Sequence, residues 1–205
     1  MSASLVTSTL LADRGGWRYG AAMPRRFIAA ALALASTVLA PARADDFADF
    51  SSAGLPGSRG LVVRVRHPAG WKMVVPDDDM ALAELRGPQG ALTGILQIGR
   101  GQRRSDVQAL CRPERARTML HNPSQEPDLR ITEVVARTSE GRAGFEVRYE
   151  RSDAPGFLLV RSRIVCLKDT RLVVSCGAMG AAKAALSGIE PVCRRVLESL
   201  SISEE

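Results

Sequence analysis

Between Leu61 and Cys176 the chain is written mostly in short apolar runs and period-two alternations bounded by Gly, Pro and Asp, the pattern of strands and turns. Leu61 to Arg66 alternates apolar and basic side chains and predicts a strand with one wetter face. His67-Pro68-Ala69-Gly70 turns the chain into a second strand, Trp71 to Val75. Pro76 and Asp77-Asp78-Asp79 form a turn before a third, Met80 to Arg86. After Gly87-Pro88-Gln89-Gly90, Ala91 to Ile98 is the fourth and ends in the basic loop Gly99 to Arg104. Leu129 to Arg137, Arg142 to Arg151 and Phe157 to Leu167 follow, and the turn Lys168-Asp169-Thr170 leads into an eighth, Arg171 to Cys176.

Two segments carry a helical period instead. Ser105 is a suitable N-cap, Asp106 lies in the first turn, and Val107, Leu110 and Cys111 share one face. Pro113 either kinks this helix or opens a second one through Met119, since a proline inside a helix costs about 3 kcal/mol. At the C-terminal end, Ser187-Gly188-Ile189-Glu190 matches a capping box and Pro191 suits the first turn. Ile189, Cys193, Val196 and Leu200 then point one face inward, leaving Arg194, Arg195 and Glu198 to water. His121 to Asp128 reads as a loop. Asp45 to Gly60, rich in Ser, Gly and acids with only Phe47 and Phe50 as anchors, reads as a flexible arm. The sum is an α+β domain over residues 61–203, an antiparallel sheet of six to eight strands flanked by helices.

The Pro68-Ala69-Gly70-Trp71 turn, the terminal pair of strands and the closing Leu197-Glu198-Ser199-Leu200-Ser201-Ile202 give this order of elements a likeness. It resembles the PsbP-like superfamily, which includes bacterial exported proteins of uncharacterised function. The resemblance implies an α/β/α sandwich and involves no catalytic motif.

Charge changes the picture only after the N-terminal segment is set apart. The net charge is +6, but residues 1–44 hold five arginines against Asp13 alone, so the remainder carries 23 basic and 21 acidic side chains. Pro24-Arg25-Arg26, the apolar stretch Phe27 to Ala40 and Ala42-Arg43-Ala44 have the parts of a secretory signal, with its core at 23–44 and cleavage after Ala44. The fourteen-residue stretch is too short for a comfortable membrane span. Phe27 directly after the arginines fits a twin-arginine signal poorly, which favours the general secretory route. Residues 1–22 precede this signal and are set aside. The expectation is a periplasmic or secreted product with no transmembrane segment in its mature form.

All four cysteines, Cys111, Cys166, Cys176 and Cys193, fall after the leader, and an even count in an exported chain predicts two disulfides. With Leu167 facing Arg171 across the turn, Cys166 and Cys176 stand about 13 Å apart along their hairpin. A direct bond needs Cα atoms within about 7 Å. Each therefore pairs with a helix cysteine, Cys111 or Cys193, in an order the spacing leaves open.

Chemistry is otherwise sparse. Two histidines, His67 and His121, lack any metal-ligand spacing, and neither Cys-x-x-Cys nor Gly-x-Ser-x-Gly occurs. Consecutive Asp77, Asp78 and Asp79 lack the alternating spacing of a calcium loop. No catalytic residue, metal or cofactor is predicted. Arg100, Arg103 and Arg104 with the N-cap Ser105 form a candidate anion site, where arginine forks and free helix amides would meet a carboxylate, a phosphate or a membrane headgroup. Nucleic acid is disfavoured because 99–119 contains no aromatic residue on which a base could stack. The functional expectation is an exported, non-catalytic binding or accessory protein stabilised by disulfides, with a protein or small anionic ligand as partner. The alternatives are a small exported enzyme with dispersed catalytic residues and a structural envelope-associated protein.

Overall fold

The alternating segments fold into two antiparallel sheets in a computed structural model that describes residues 46–58, 60–74, 76, 81–87, 92–101, 106–115, 128–153 and 156–204. The strands are β1 (Phe47–Ser51), β2 (Leu61–Pro68), β3 (Lys72–Val74), β4 (Ala81–Arg86), β5 (Leu92–Arg100), β6 (Leu129–Ser139), β7 (Arg142–Asp153), β8 (Gly156–Cys166), β9 (Arg171–Gly180) and β10 (Ser201–Glu204). Seven of them form one sheet in the order β3-β4-β5-β9-β8-β7-β6, and β1-β2-β10 form the other. Helix is confined, among the described residues, to α1 (Val107–Leu110), a short helical turn at 113–115, a 3-10 turn (Lys183–Gly188) and α2 (Ile189–Glu198). The fold is mostly β with limited helical flanking, less helix than the sequence pattern suggests.

Several expectations need correction. Phe47–Ser51, inside the segment read as a flexible arm, is a strand paired along β2 from Phe47↔Pro68 to Ser51↔Arg64. Ser201–Glu204 pairs with the opposite edge of β2. The helix expected from Ser105 is a single turn, and after Cys111 and Arg112 the chain becomes helical again at 113–115, so Pro113 opens a new turn. The β8–β9 register differs by one residue from expectation: Cys166 faces Arg171 and Cys176 faces Arg161.

That register decides which side chains share a face. Leu172, Val174, Cys176 and Ala178 of β9 lie on one face with Leu96 and Ile98 of β5, all at most 0% exposed. Ile189, Cys193, Val196 and Leu197 of α2 pack on this face, and Leu61, Val63 and Val65 of β2 join the same core. Helix α2 thus lies between the two sheets. The opposite face carries a second core, in which Phe145, Val147 and Tyr149 of β7 meet Leu158, Val160 and Ile164 of β8. At the far end of the large sheet, Trp71 lies over Gly87 and Gly94, where a Cβ would collide with the indole ring.

The β6–β7 hairpin turns through Glu140 and Gly141, both with positive φ (50° and 76°), as a two-residue turn requires. Glutamate is an unusual first residue there. Its carboxylate accepts the Ile202 backbone N–H at 3.0 Å, so the turn also caps the outer edge of β10.

Candidate functional site

The four cysteines form two bonds, Cys111–Cys166 and Cys176–Cys193, with Cα separations of 6.1 and 5.2 Å. Alternation along the strands puts the two bonds on opposite faces of the large sheet. Cys176 shares the α2 face with Val174, whereas Cys166 lies with Ile164 on the face of the second core, where it packs against Val107 and Cys111. Gln108 adds a hydrogen bond from its side-chain amide to the Leu167 carbonyl at 2.8 Å. Each helix is therefore fastened to its own side of the hairpin.

Of the arginine-rich anion site, Arg100 lies in β5 and donates to the Ser58 carbonyl at 3.4 Å. Arg103, Arg104 and Ser105 lie outside the described residues, as do His121 and the Asp77 to Asp79 run. His67 is buried, with ring Nδ1 2.9 Å from the Pro68 carbonyl oxygen. Among the described residues no group of His, Cys, Asp and Glu is arranged to hold a metal, and no helix is long and apolar enough to cross a membrane.

A charged cluster among the described residues lies on β7, β8 and α2. Glu146, Arg148 and Glu150 occupy every second position of β7, and Arg161 and Arg163 do the same on β8, so all five project from the α2 face. Arg161 has only 8% of its side chain exposed. It donates from Nη1 to Glu146 at 2.5 Å, from Nη2 to Glu133 at 2.9 Å, and from Nε and Nη2 to Glu190 of α2. Arg163 donates to Glu146 at 2.7 Å and to the Leu197 carbonyl at 2.7 Å, which ties the strand to the last turn of α2. The chain of ions continues through Arg148, which reaches Glu190 at 3.3 Å and Glu150 at 2.9 Å, to Lys183, which donates to Glu150 at 2.7 Å.

Glu190 explains why the expected capping box is absent. Its carboxylate is drawn to Arg161 and Arg148, Gly188 occupies the N-cap, and the Ser187 hydroxyl donates back to the Ala184 carbonyl at 3.0 Å. The helix exchanges a local cap for a tertiary one. A buried guanidinium surrounded by carboxylates outweighs a single capping bond.

Burial by itself would raise the Glu146 carboxyl, but hydrogen bonds and charge from Arg163 and Arg161 hold it below the ordinary glutamate value of 4.5. A hydrogen bond from Lys183, opposed by burial and helped by the charges of Lys183 and Arg148, holds Glu150 low as well. For Arg161, burial opposes the charge, yet bonds to Glu146 and Glu190 raise it above the usual guanidinium value. A carboxylate with a lowered folded pKa lends stability that is complete above its unfolded value and lost as pH falls through the folded one. The protein should accordingly lose stability on acidification below about pH 4.5. Urea denaturation across pH 3 to 7 should show a shallower acid limb for Glu146→Gln with Glu150→Gln than for the parent, and identical slopes would contradict this assignment.

Two clefts flank the ion network. One, of about 460 Å³, is lined among the described residues by charged side chains, including Arg137, Arg163, Arg194 and Glu198. The other, of about 480 Å³, opens where the ends of β7 and β8 meet the 3-10 turn. Phe157, Leu159 and Leu186 give it apolar walls, while Arg130, Arg148, Arg151 and Lys183 outnumber Asp128 and Glu150 around them. It can accommodate a small molecule with an apolar body and an anionic group.

No family model and no curated protein matches the chain. Among solved structures it is similar to LpqN, involved in cell envelope biogenesis of Mycobacterium tuberculosis, with TM-score 0.50 and 12% identity over 79% of this chain and 94% of that one. It is also similar to PA94 of Pseudomonas aeruginosa, a protein of unknown function (TM-score 0.47, 16% identity, 67% of this chain and 90% of that one). A third is the Ran-binding protein Mog1p of Saccharomyces cerevisiae (TM-score 0.47, 9% identity, 76% of this chain and 94% of that one). The likeness to LpqN concerns the fold alone.

Proposed function

We propose that the protein is exported and acts at or beyond the cell envelope as a non-catalytic binding or accessory protein, with a PsbP-like α/β/α sandwich stapled by disulfides. The observation that carries this reading is the bonding of all four cysteines, each bond tying a strand to a helix on a different face of the sheet. Reducing compartments keep thiols free, so such a pair of staples fits an oxidising one. The envelope role of LpqN points the same way. The cleft beside Phe157, Leu186 and Lys183 is the binding site in this reading, and its chemistry selects a small amphiphile with a carboxylate, sulfonate or phosphate group.

The test has a compartment arm and a ligand arm. Protein recovered from the native host should begin at Asp45 and resist a thiol label under non-reducing denaturation. Recovery with an intact leader and four free thiols would sink the export reading. The oxidised protein should bind 8-anilinonaphthalene-1-sulfonate saturably. Lys183→Glu, which places a second acid beside Glu150, should weaken that binding about tenfold. Unsaturable binding, or binding indifferent to Lys183→Glu, would remove the cleft from the proposal.

A further inference from the structure

A sheet edge is a row of unmet backbone donors and acceptors, and the seven-stranded sheet has two unequal edges. At one end β3 is three residues long and carries Lys72. At the other, β6 runs for eleven residues with neither lysine nor proline. The edge of β10 in the smaller sheet is already met by Glu140. Among the described residues, β6 is thus the long edge left open.

We propose that β6 is the docking edge for a second copy of this chain, joined antiparallel about a two-fold axis at Val135. The register follows from the hairpin. A two-residue turn makes Ser139↔Arg142 a hydrogen-bonded pair, and bonding alternates from there. Arg137, Val135 and Glu133 therefore spend their backbone groups on β7, whereas Thr138, Ala136 and Val134 aim theirs at the open side. The irregularity between Ile131 and Glu133 lies beyond this stretch.

An antiparallel mate must set outward-aimed residues opposite one another and keep faces matched, which limits the two-fold centres to Glu133 through Arg137. Centres at Glu133 or Arg137 bring like charges face to face. Centres at Val134 or Ala136 leave both charges opposite neutral residues. The centre at Val135 alone sets Glu133 opposite the second copy's Arg137, twice by symmetry, with Val134 opposite Ala136. Both ionic side chains have capacity to spare. Glu133 is 45% exposed although it accepts from Arg161, and Arg137 is 50% exposed although it approaches Glu146 at 3.9 Å. The two copies would extend the sheet from seven strands to fourteen. This inference is independent of the ligand and of the compartment.

Sedimentation of the oxidised protein over the micromolar range should show a reversible dimer whose fraction rises with concentration. Ala136→Pro removes an outward N–H, a change that an edge strand tolerates, and should abolish the dimer while circular dichroism and both disulfides remain intact. Arg137→Glu should weaken association about tenfold, and Glu133→Arg with Arg137→Glu should restore it. Geometry is read by cysteine: Val135 faces its own counterpart with Cα atoms about 4.5 Å apart, whereas Ala136 faces Val134. Val135→Cys should cross-link between copies well before Ala136→Cys, although Ala136 is the more exposed. A monomer at every concentration, or faster linking through Ala136→Cys, would overturn the proposal.

Discussion

Arg161→Met is expected to cost about 3 to 5 kcal/mol at pH 7, because it leaves Glu146 and its neighbours partly buried without the cation they surround. The methionine stem replaces the packing of the arginine stem, so the loss measures charge and hydrogen bonding more than volume. Arg163 still faces Glu146 in the variant, but Glu190 keeps, among the described residues, only Arg148. Arg148→Met provides the contrast. Its side chain is 27% exposed, water reaches its partners, and removing it should cost about 1 kcal/mol or less. The difference should shrink on acidification, since protonated carboxyls no longer need the guanidinium. Urea titrations of both variants with the disulfides intact decide the matter. Equal small losses would mean that Arg161 is a solvated surface charge, in conflict with its burial.

This network was only half legible in the sequence. The alternation Glu146-Val147-Arg148-Tyr149-Glu150 marks a charged face on a strand, and Arg161-Ser162-Arg163 repeats the signal, but alternation alone describes a solvated face equally well. What buries it is α2, laid across β8 and β9 by Cys193, Val196 and Leu197, with Glu190 at its start. No local pattern records that placement, and the same glutamate completes a plausible capping box in sequence. Central strands were readable because each buries a full apolar row. β1 and β10 were not, because Phe-Ala-Asp-Phe-Ser and Ser-Ile-Ser-Glu have little preference of their own and become strands only by pairing along β2. The one-residue offset at Cys166 arose from the turn, where Leu167 leaves the ladder and its N–H bonds to the Thr170 carbonyl instead. Strand pairing fixes the cysteine faces, and hence which helix each reaches, only once that offset is known.

Removing the disulfides one at a time should give two different phenotypes. Closing a loop lowers the entropy of the unfolded chain in proportion to the logarithm of its length. For separations of 17 and 55 residues, the stabilisation is about 3 kcal/mol for Cys176–Cys193 and about 4 kcal/mol for Cys111–Cys166. Native contacts then separate the two cases. With Cys176 and Cys193 both replaced by serine, α2 still buries Ile189, Val196 and Leu197, so the helix stays docked and the cost falls on global unfolding. With Cys111 and Cys166 replaced, α1 retains Val107 and the Gln108 bond, and a single turn cannot hold its own shape in water. Its release needs no opening of the sheet. Hydrogen exchange should accordingly show protection at 106–115 lost altogether in the second variant, beyond the general decrease that its lower global stability brings, while the first exchanges faster throughout β8, β9 and α2 in step with its lower urea midpoint. Uniform loss of protection in both would mean that α1 is an integral part of the cooperative core, held by more than its bond to Cys166.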